Sequence, residues 1–390
     1  MIFQLLPLLL LLAPSPTNSA YSNETCGSTL ENIWLDVILL IDNSASMTDN
    51  YIQSTTQSIT QLFGKPTRIG TKHTDPRSVR LGVISYDVNA TLVADLDQYQ
   101  SNEDAKNGIQ KLMNHKRTSV KDSILARALR LAELTFKAGR ANNTRTNFPK
   151  VVIIYAATVT GDGVLYPNTE AKRLKDQGVE IMVVSFSQED KVLREFKEIA
   201  SQDQVMLSES LPLQNSLLQA NCFCGNLGWY NQYPTKTFKY GTCLHVSNEP
   251  DSWAVAKYGC QREDRQAYLA TEWTKDKHRL VRKIFQDRTK QVDSATYFIG
   301  LNYVNGAWYW EQPANQKMLK LTDTNSPSDY FWSPNFPKAP TTNPGVVNMI
   351  GSDDKIGWQN INSFDFYSHY MCEMPACDTD HYCTHNLDWW

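Results

Sequence analysis

The chain has 390 residues, with 38 lysines and arginines against 41 acidic residues for a net charge of −3, and 41% of it is hydrophobic. That apolar fraction excludes wholesale disorder, the charge balance excludes a nucleic-acid binder working through a basic face, and at about 150 residues per domain the length predicts two or three domains. The 8 cysteines are thinly spread, with none between residues 27 and 221, which excludes a small disulfide-dense scaffold.

Residues 1–20 read as a secretory signal peptide. The apolar stretch from Leu5 to Ala13 is too short to span a bilayer, and Ser19 or Ala20 supplies a small residue for cleavage. Later apolar runs are only strand-length, so a secreted, extracellular chain without a membrane span is expected. In that compartment disulfides form, and Asn23, Asn89 and Asn142, each in an Asn-x-Thr sequon, become candidate glycosylation sites.

From residue 26 to 222 strands alternate with helices. Trp34 to Ile41 is a continuous apolar run, as in a strand buried on both faces; Tyr51 to Phe63 carries Ile52, Ile59, Leu62 and Phe63 on one helical face. Strands follow at Val79 to Asp87, Lys150 to Ala157 and Val179 to Ser187, with helices at Ser123 to Phe136, Thr169 to Gln177 and Glu189 to Ser201. Such alternation predicts an α/β doubly wound parallel sheet, with its chemistry at the C-terminal ends of the strands. There the first strand ends in Asp42-Asn43-Ser44-Ala45-Ser46.

This Asp-x-Ser-x-Ser motif, the Arg-Leu-Gly-Val-Ile-Ser-Tyr strand and a threonine loop before a helix resemble the von Willebrand factor type A domain. The resemblance implies a metal-ion-dependent adhesion site at Asp42, Ser44, Ser46 and Thr118, a hard-oxygen set suited to Mg²⁺ or Ca²⁺, whose shell a partner protein's carboxylate completes. One position departs. The family's second aspartate, after the third buried strand, is Ala157 here, and Asp162 could replace it only if the turn folded back. Asp42 and the serines also suit a simpler role as caps of the first helix.

After Cys224 the rhythm stops. Helical stretches at Asp251 to Arg262 and Lys275 to Gln286 precede short aromatic strands at Tyr297 to Asn302, Ala307 to Glu311, Val346 to Met349 and Ser368 to Glu373, an α+β arrangement over residues 223–375. Phe298-Ile299-Gly300-Leu301, Gly306-Ala307-Trp308-Tyr309-Trp310, Ser252-Trp253 with Cys260, and Cys372-Glu373 resemble, in order, parts of the C-type lectin-like domain. That likeness implies a domain-closing Cys260–Cys372 disulfide and a long loop bearing two calcium-binding segments. Those segments are matched here by Ala339-Pro340-Thr341 and Trp358-Gln359-Asn360, which keep too few carboxylates for the usual calcium site. Trp332, Trp358, Gln359 and Asn360 are the residues left to meet a sugar, by ring stacking and amide hydrogen bonds, while Trp308 and Trp310 are expected in the core. The family's second core disulfide falls near Val346 and Ser363, so both its cysteines are missing together.

The termini of the first domain should lie close together, which suggests Cys26–Cys222. Cys224–Cys243 and Cys377–Cys383 then remain, and an exchange between Cys222 and Cys224 stays open. The tail, 376–390, is acidic and aromatic and carries no assigned function, and its His381 and His385 read as solvated. No Gly-x-Ser-x-Gly elbow, His-Glu-x-x-His motif or phosphate loop occurs, and the histidines lack ligand spacing, so no enzyme is expected. The pairing of the two domain types resembles secreted nematode C-type lectin proteins linked with adhesion and innate immunity. It implies recognition of carbohydrate or glycoprotein ligands, with a protein partner at the first domain; an extracellular matrix or structural role is the alternative.

Overall fold

The computed structural model describes residues 26–70, 76–114, 118–161, 163–208, 210–225, 228–230, 239–272, 274–289, 296–321, 331–342, 344–349 and 357–384. Residues 1–20, Asn23, Asp162 and His385 lie outside them.

The first domain is built on six strands: β1 (Asp36–Asp42), β2 (Arg80–Tyr86), β3 (Ala90–Ala94), β4 (Lys150–Ala156), β5 (Val179–Ser185) and β6 (Val205–Leu207), in the order β3-β2-β1-β4-β5-β6. All neighbours are parallel except β2 and β3, so the sheet is mixed rather than wholly parallel. β3 escaped the sequence reading because it is an edge strand that buries only Ala94. The helices are α1 (Asp49–Phe63), α2 (Asn102–Met113), α3 (Leu125–Gly139), α4 (Asn168–Asp176), α5 (Asp190–Ile199) and α6 (Ser210–Ala220).

β1 explains the layering. Its seven residues are all buried, and alternate side chains face opposite ways. Val37, Leu39 and Ile41 pack with Ile59 of α1, Ile109 of α2 and Leu217 of α6. Ile38 and Leu40 pack with Leu129 of α3, Leu174 of α4 and Phe196 of α5. Gly178, at φ 72°, takes the left-handed position that ends α4. At the lower end of the sheet the fully buried Asp36 is held by Arg80 at 2.7 Å, Arg145 at 3.0 Å and Arg140 at 3.2 Å.

The second domain is α+β. Its strands are β7 (Thr242–Val246), β8 (Asp251–Ser252), β9 (Tyr268–Leu269), β10 (Thr296–Val304), β11 (Ala307–Trp310), β12 (Leu319–Lys320), β13 (Gly345–Met349), β14 (Gly357–Ile361) and β15 (Tyr367–Pro375). β12-β11-β10-β13-β14 form one ladder, and β15 joins β10 to β7, β8 and β9. Helices α7 (Trp253–Glu263) and α8 (Lys275–Thr289) flank it. Four disulfides join Cys26 to Cys222, Cys224 to Cys243, Cys260 to Cys372, and Cys377 to Cys383. Val346 is buried on β13, and Ser363 lies against Gly345 beside it.

The domains are in direct contact. Trp34, expected in the first strand, lies before it and is buried in the joint, with its ring against Phe148, Phe223 and Tyr382 at 4.8–5.3 Å. The described part of the tail is docked on the first domain. Asp378 accepts from Gly27 N and from His381, its carbonyl accepts from Trp34 Nε1 at 2.9 Å, and Asn147 donates to the Tyr382 hydroxyl and the Cys383 carbonyl.

Candidate functional site

At the upper end of the first sheet, β1 runs out at Asp42 beside β2, and Asn43 N donates to Tyr86 O at 2.7 Å. The chain then turns on its own side chains. Ser44 N donates to Asp42 Oδ1 at 2.8 Å and Ser46 N to Ser44 Oγ at 3.4 Å. The Thr118 loop is drawn in by Ala45 N to Val120 O at 2.7 Å and by Thr118 Oγ1, which donates to Asn43 O at 3.2 Å. Asp42, Ser44 and the Thr118 loop are thus brought together, with Ser46 half-buried at the rim. These residues do not cap α1: its cap is Thr48, whose hydroxyl accepts from Tyr51 N at 3.3 Å.

The decisive atom is Asp42 Oδ2. It is buried with no atom at hydrogen-bond distance among the described residues, as are the Tyr86 hydroxyl and Ser123 Oγ, which lie close to the carboxylate. Burial pushes the Asp42 carboxyl up from its ordinary range, against the opposing influence of Ser44, the Ser123 hydroxyl and the Ala157 backbone N–H. Burial, with the Asp42 charge second, pushes the Tyr86 phenol up as well. Ala157, 6% exposed, lies beside Asp42 through its backbone N–H and brings no oxygen in its side chain. Among the described residues no group of three or more His, Cys, Asp or Glu side chains is arranged to hold a metal ion. The donor chemistry therefore amounts to one carboxylate with an unused oxygen and three hydroxyls, which fits a hard cation held by a single protein charge.

In the second domain the long loop corrects several expectations. Trp358 is fully buried, donates its indole N–H to Glu272 at 2.6 Å and packs edge-on to Trp310, so it has no free face for a sugar. Asn360 is buried too, and its amide bonds both the Lys338 N–H and the Lys338 carbonyl. The segment opposite it therefore ends at Lys338, and Ala339-Pro340-Thr341 lies beyond it in a turn closed by Thr342 N to Ala339 O. Gln359 is half-buried and reaches Ser333 Oγ at 3.3 Å. Trp332 is half-buried, 5.0 Å from Trp308, which in turn lies 5.2 Å from Tyr303. Trp310 is a core residue as expected; Trp308 is only partly so, being half-buried like Ala307 and Tyr309 of the same strand.

The sequence profile of the von Willebrand factor type A domain matches residues 36–218. The chain is 23% identical over 380 residues to the Caenorhabditis elegans C-type lectin domain-containing protein 160, an alignment covering 92% of this chain and 56% of that protein. It is 30% identical over 132 residues to the human C-type lectin domain family 4 member A, covering 34% of this chain and 49% of the relative. The chain joins a von Willebrand factor type A domain to a C-type lectin-like region. It spans about half the length of the curated relatives it matches. Among solved structures, proximal thread matrix protein 1 from the mussel byssus, described with a zinc-occupied MIDAS motif, aligns at a TM-score of 0.42 and 21% identity over 51% of this chain and 49% of that one. Such a pairing suits ligand recognition and adhesion, and both families are generally non-catalytic.

The sequence reading missed the polar heart of the lectin-like region. Glu272, fully buried, accepts from His278 Nδ1 at 2.7 Å, the Tyr297 hydroxyl at 2.8 Å and Trp358 Nε1. Burial alone would raise its carboxyl; the His278 charge and these donors hold it below its ordinary value. The residue before His278 on α8 serves a second buried acid, since Lys277 Nζ meets Glu373 at 2.6 Å. The available signal was Glu272 closing the apolar run Tyr268-Leu269-Ala270, a place where a carboxylate needs buried partners.

Proposed function

We propose that this is a secreted recognition and adhesion protein whose von Willebrand factor type A domain takes a protein partner at the Asp42 pocket and whose lectin-like region meets carbohydrate or glycoprotein ligands without the usual calcium site. The observation that carries the first half is Asp42 Oδ2, a buried carboxylate oxygen with no described partner. Asp42, Ser44, Ser46 and Thr118 would hold the ion, Mg²⁺ or Ca²⁺, which when bound supplies a Lewis-acidic point for a partner's carboxylate. The chain's own contribution is to fix Oδ1 on Ser44 N and leave Oδ2 available. Calorimetry with Mg²⁺, Mn²⁺ and Ca²⁺ on the full chain tests this; saturable heat that survives Ser44→Ala unchanged would refute the placement.

For the second half, the half-buried pair Trp308 and Trp332 supports ring stacking on a sugar, with Gln359 beside Ser333 below it. A glycan array read with and without EDTA tests it, and absence of signal in both conditions sinks it. Asn89, exposed in the turn after β2, and Asn142 remain our proposed glycan acceptors. The internal use of Trp358 and Asn360 supports a second reading, a matrix interaction protein acting through protein contacts alone.

A further inference from the structure

Helix α7 has two faces. Trp253, Ala256, Gly259 and Cys260 are buried in the lectin-like region, while Val255, Tyr258 and Arg262, at helical spacing, share the outward face and are exposed. The segment before β15 extends that outward face. Ala254 N donates to Ser363 O at 3.1 Å, and Tyr367 pairs with Ser252, the residue before α7, so 364–367 runs beside the start of the helix. Phe364 is 69% exposed, Tyr367 66% and Tyr258 63%, with Val255 and Phe366 less so. Among the described residues, five of the eleven large apolar side chains left exposed therefore gather in one place.

With about 150–250 Å² on each aromatic side chain, the five present roughly 500 Å² of apolar surface. That is near the top of the range for the largest patch on a monomer, about 300–600 Å². A standard interface takes about 800 Å² from each partner, with aromatic residues at its centre and a polar rim around them. The rim here carries both signs. Arg262 is exposed at the C-terminal end of α7, and Asp365 is exposed beside its start. About 10 Å of helix separates Val255 from Arg262, so the two charges stand at opposite ends of the apolar stripe. Lys257 is engaged by Glu311 at 3.0 Å, and Glu263 stands about 100° further round the helix than Arg262.

An apolar stripe with a cation at one end and an anion at the other is complementary to itself. A two-fold axis through its middle lays stripe on stripe in opposite directions and sets Arg262 of one copy against Asp365 of the other. An anionic surface would call for one sign only. We propose that this patch is the interface of a homodimer, with α7 and residues 364–367 of a second copy seated on it. None of its residues belongs to either site already described, so the inference stands apart from both. The dimer would present two Asp42 pockets and two lectin-like regions in one particle, which raises avidity for a multivalent surface.

Sedimentation velocity on the full chain, from micromolar to sub-millimolar concentration, should show a reversible monomer–dimer equilibrium. Tyr258→Ser should weaken it at least about tenfold, the scale of a lost interface aromatic, and leave the melting temperature unchanged because the ring is exposed. Arg262→Asp and Asp365→Arg should each weaken it alone. Mixing these two variants should restore it, because each heterodimer regains both ion pairs, and that rescue separates a second copy from any other occupant. A chain that stays monomeric throughout, or a dimer unaffected by all three substitutions, would overturn the proposal. A monomer that co-sediments with phosphatidylcholine vesicles only while Tyr258 is present would overturn it too, and would give the patch to a lipid surface.

Discussion

Asp42→Asn should stabilise the metal-free protein. In the native fold the carboxylate is fully buried; one oxygen accepts from Ser44 N and the other has no atom at hydrogen-bond distance among the described residues, although the Ser123 hydroxyl and the Ala157 backbone N–H stand close to the carboxylate. An unmet buried polar group costs about 1–3 kcal/mol, more when charged. Asparagine keeps the acceptor for Ser44 N and turns the orphan oxygen into an NH₂ group. The Tyr86 hydroxyl and Ser123 Oγ, neither with a partner at hydrogen-bond distance among the described residues, lie close to the carboxylate and can accept from it. Taking the low end, about 1 kcal/mol, the melting temperature should rise by about 2–4 °C for a domain of this size. Differential scanning calorimetry in EDTA reads this directly. Adding Mg²⁺ should reverse the order, since a ligand at a hundredfold excess over its Kd stabilises by about 2.7 kcal/mol and only the wild type retains the carboxylate. If Asp42→Asn melts lower than wild type in EDTA, the carboxylate has a stabilising partner and the reasoning fails.

Ala157→Asp restores a second carboxylate at the wall of the same pocket and should tighten Mg²⁺ binding by at least about tenfold, or about 1.4 kcal/mol, in calorimetric titration. Glu272→Gln should change the acid limb of stability. The folded-state carboxyl of Glu272 lies below its unfolded value, so its contribution is present above the unfolded pKa and is lost as pH falls through the folded one. Urea unfolding from pH 7 to 3 should therefore be less steep with pH in the variant, from a lower plateau. Trp332→Ala should weaken any glycan signal with little loss of stability, whereas Trp358→Ala should cost about 3–5 kcal/mol by chemical denaturation, because that ring is core. Replacing Cys260 and Cys372 by serine opens a loop of 112 residues and should cost about 4–5 kcal/mol on the loop-entropy account, read from the same denaturation curves.

Much of the first domain was legible because its signal is local. Buried parallel strands are continuous apolar runs, and their helices carry one apolar stripe, so β1, β4, β5 and α1 could be read from spacing alone. Four elements of this domain were missed: β3 and α2 bury one and two residues respectively, β6 is three residues long, and α6 was missed although it buries Leu213, Leu217 and Leu218. A periodicity needs buried positions to be visible, and β3, α2 and β6 have few. The Asp42 motif was legible as a set of residue types, but its choice between capping and ligation was not, because that depends on where α1 begins. The observed start, six residues later at Thr48, leaves Asp42 outside the helix.

The lectin-like region divides the same way. Sequence alone could point to aromatic residues near the long loop, but a tryptophan that stacks on a ligand and one that fills a core have the same chemistry. Only the fold decides, through what stands opposite: Glu272 and Trp310 for Trp358, Trp308 for Trp332. The same holds for Asn360, consumed by the backbone at Lys338, and for the joint at Trp34, whose partners lie 114 to 348 positions away in the chain. Residue order determined the two domain types and the local elements, because those rest on patterns within a few turns of chain. Tertiary structure decided which polar groups are satisfied and which face a ligand, because satisfaction is a property of three-dimensional neighbours and not of sequence neighbours.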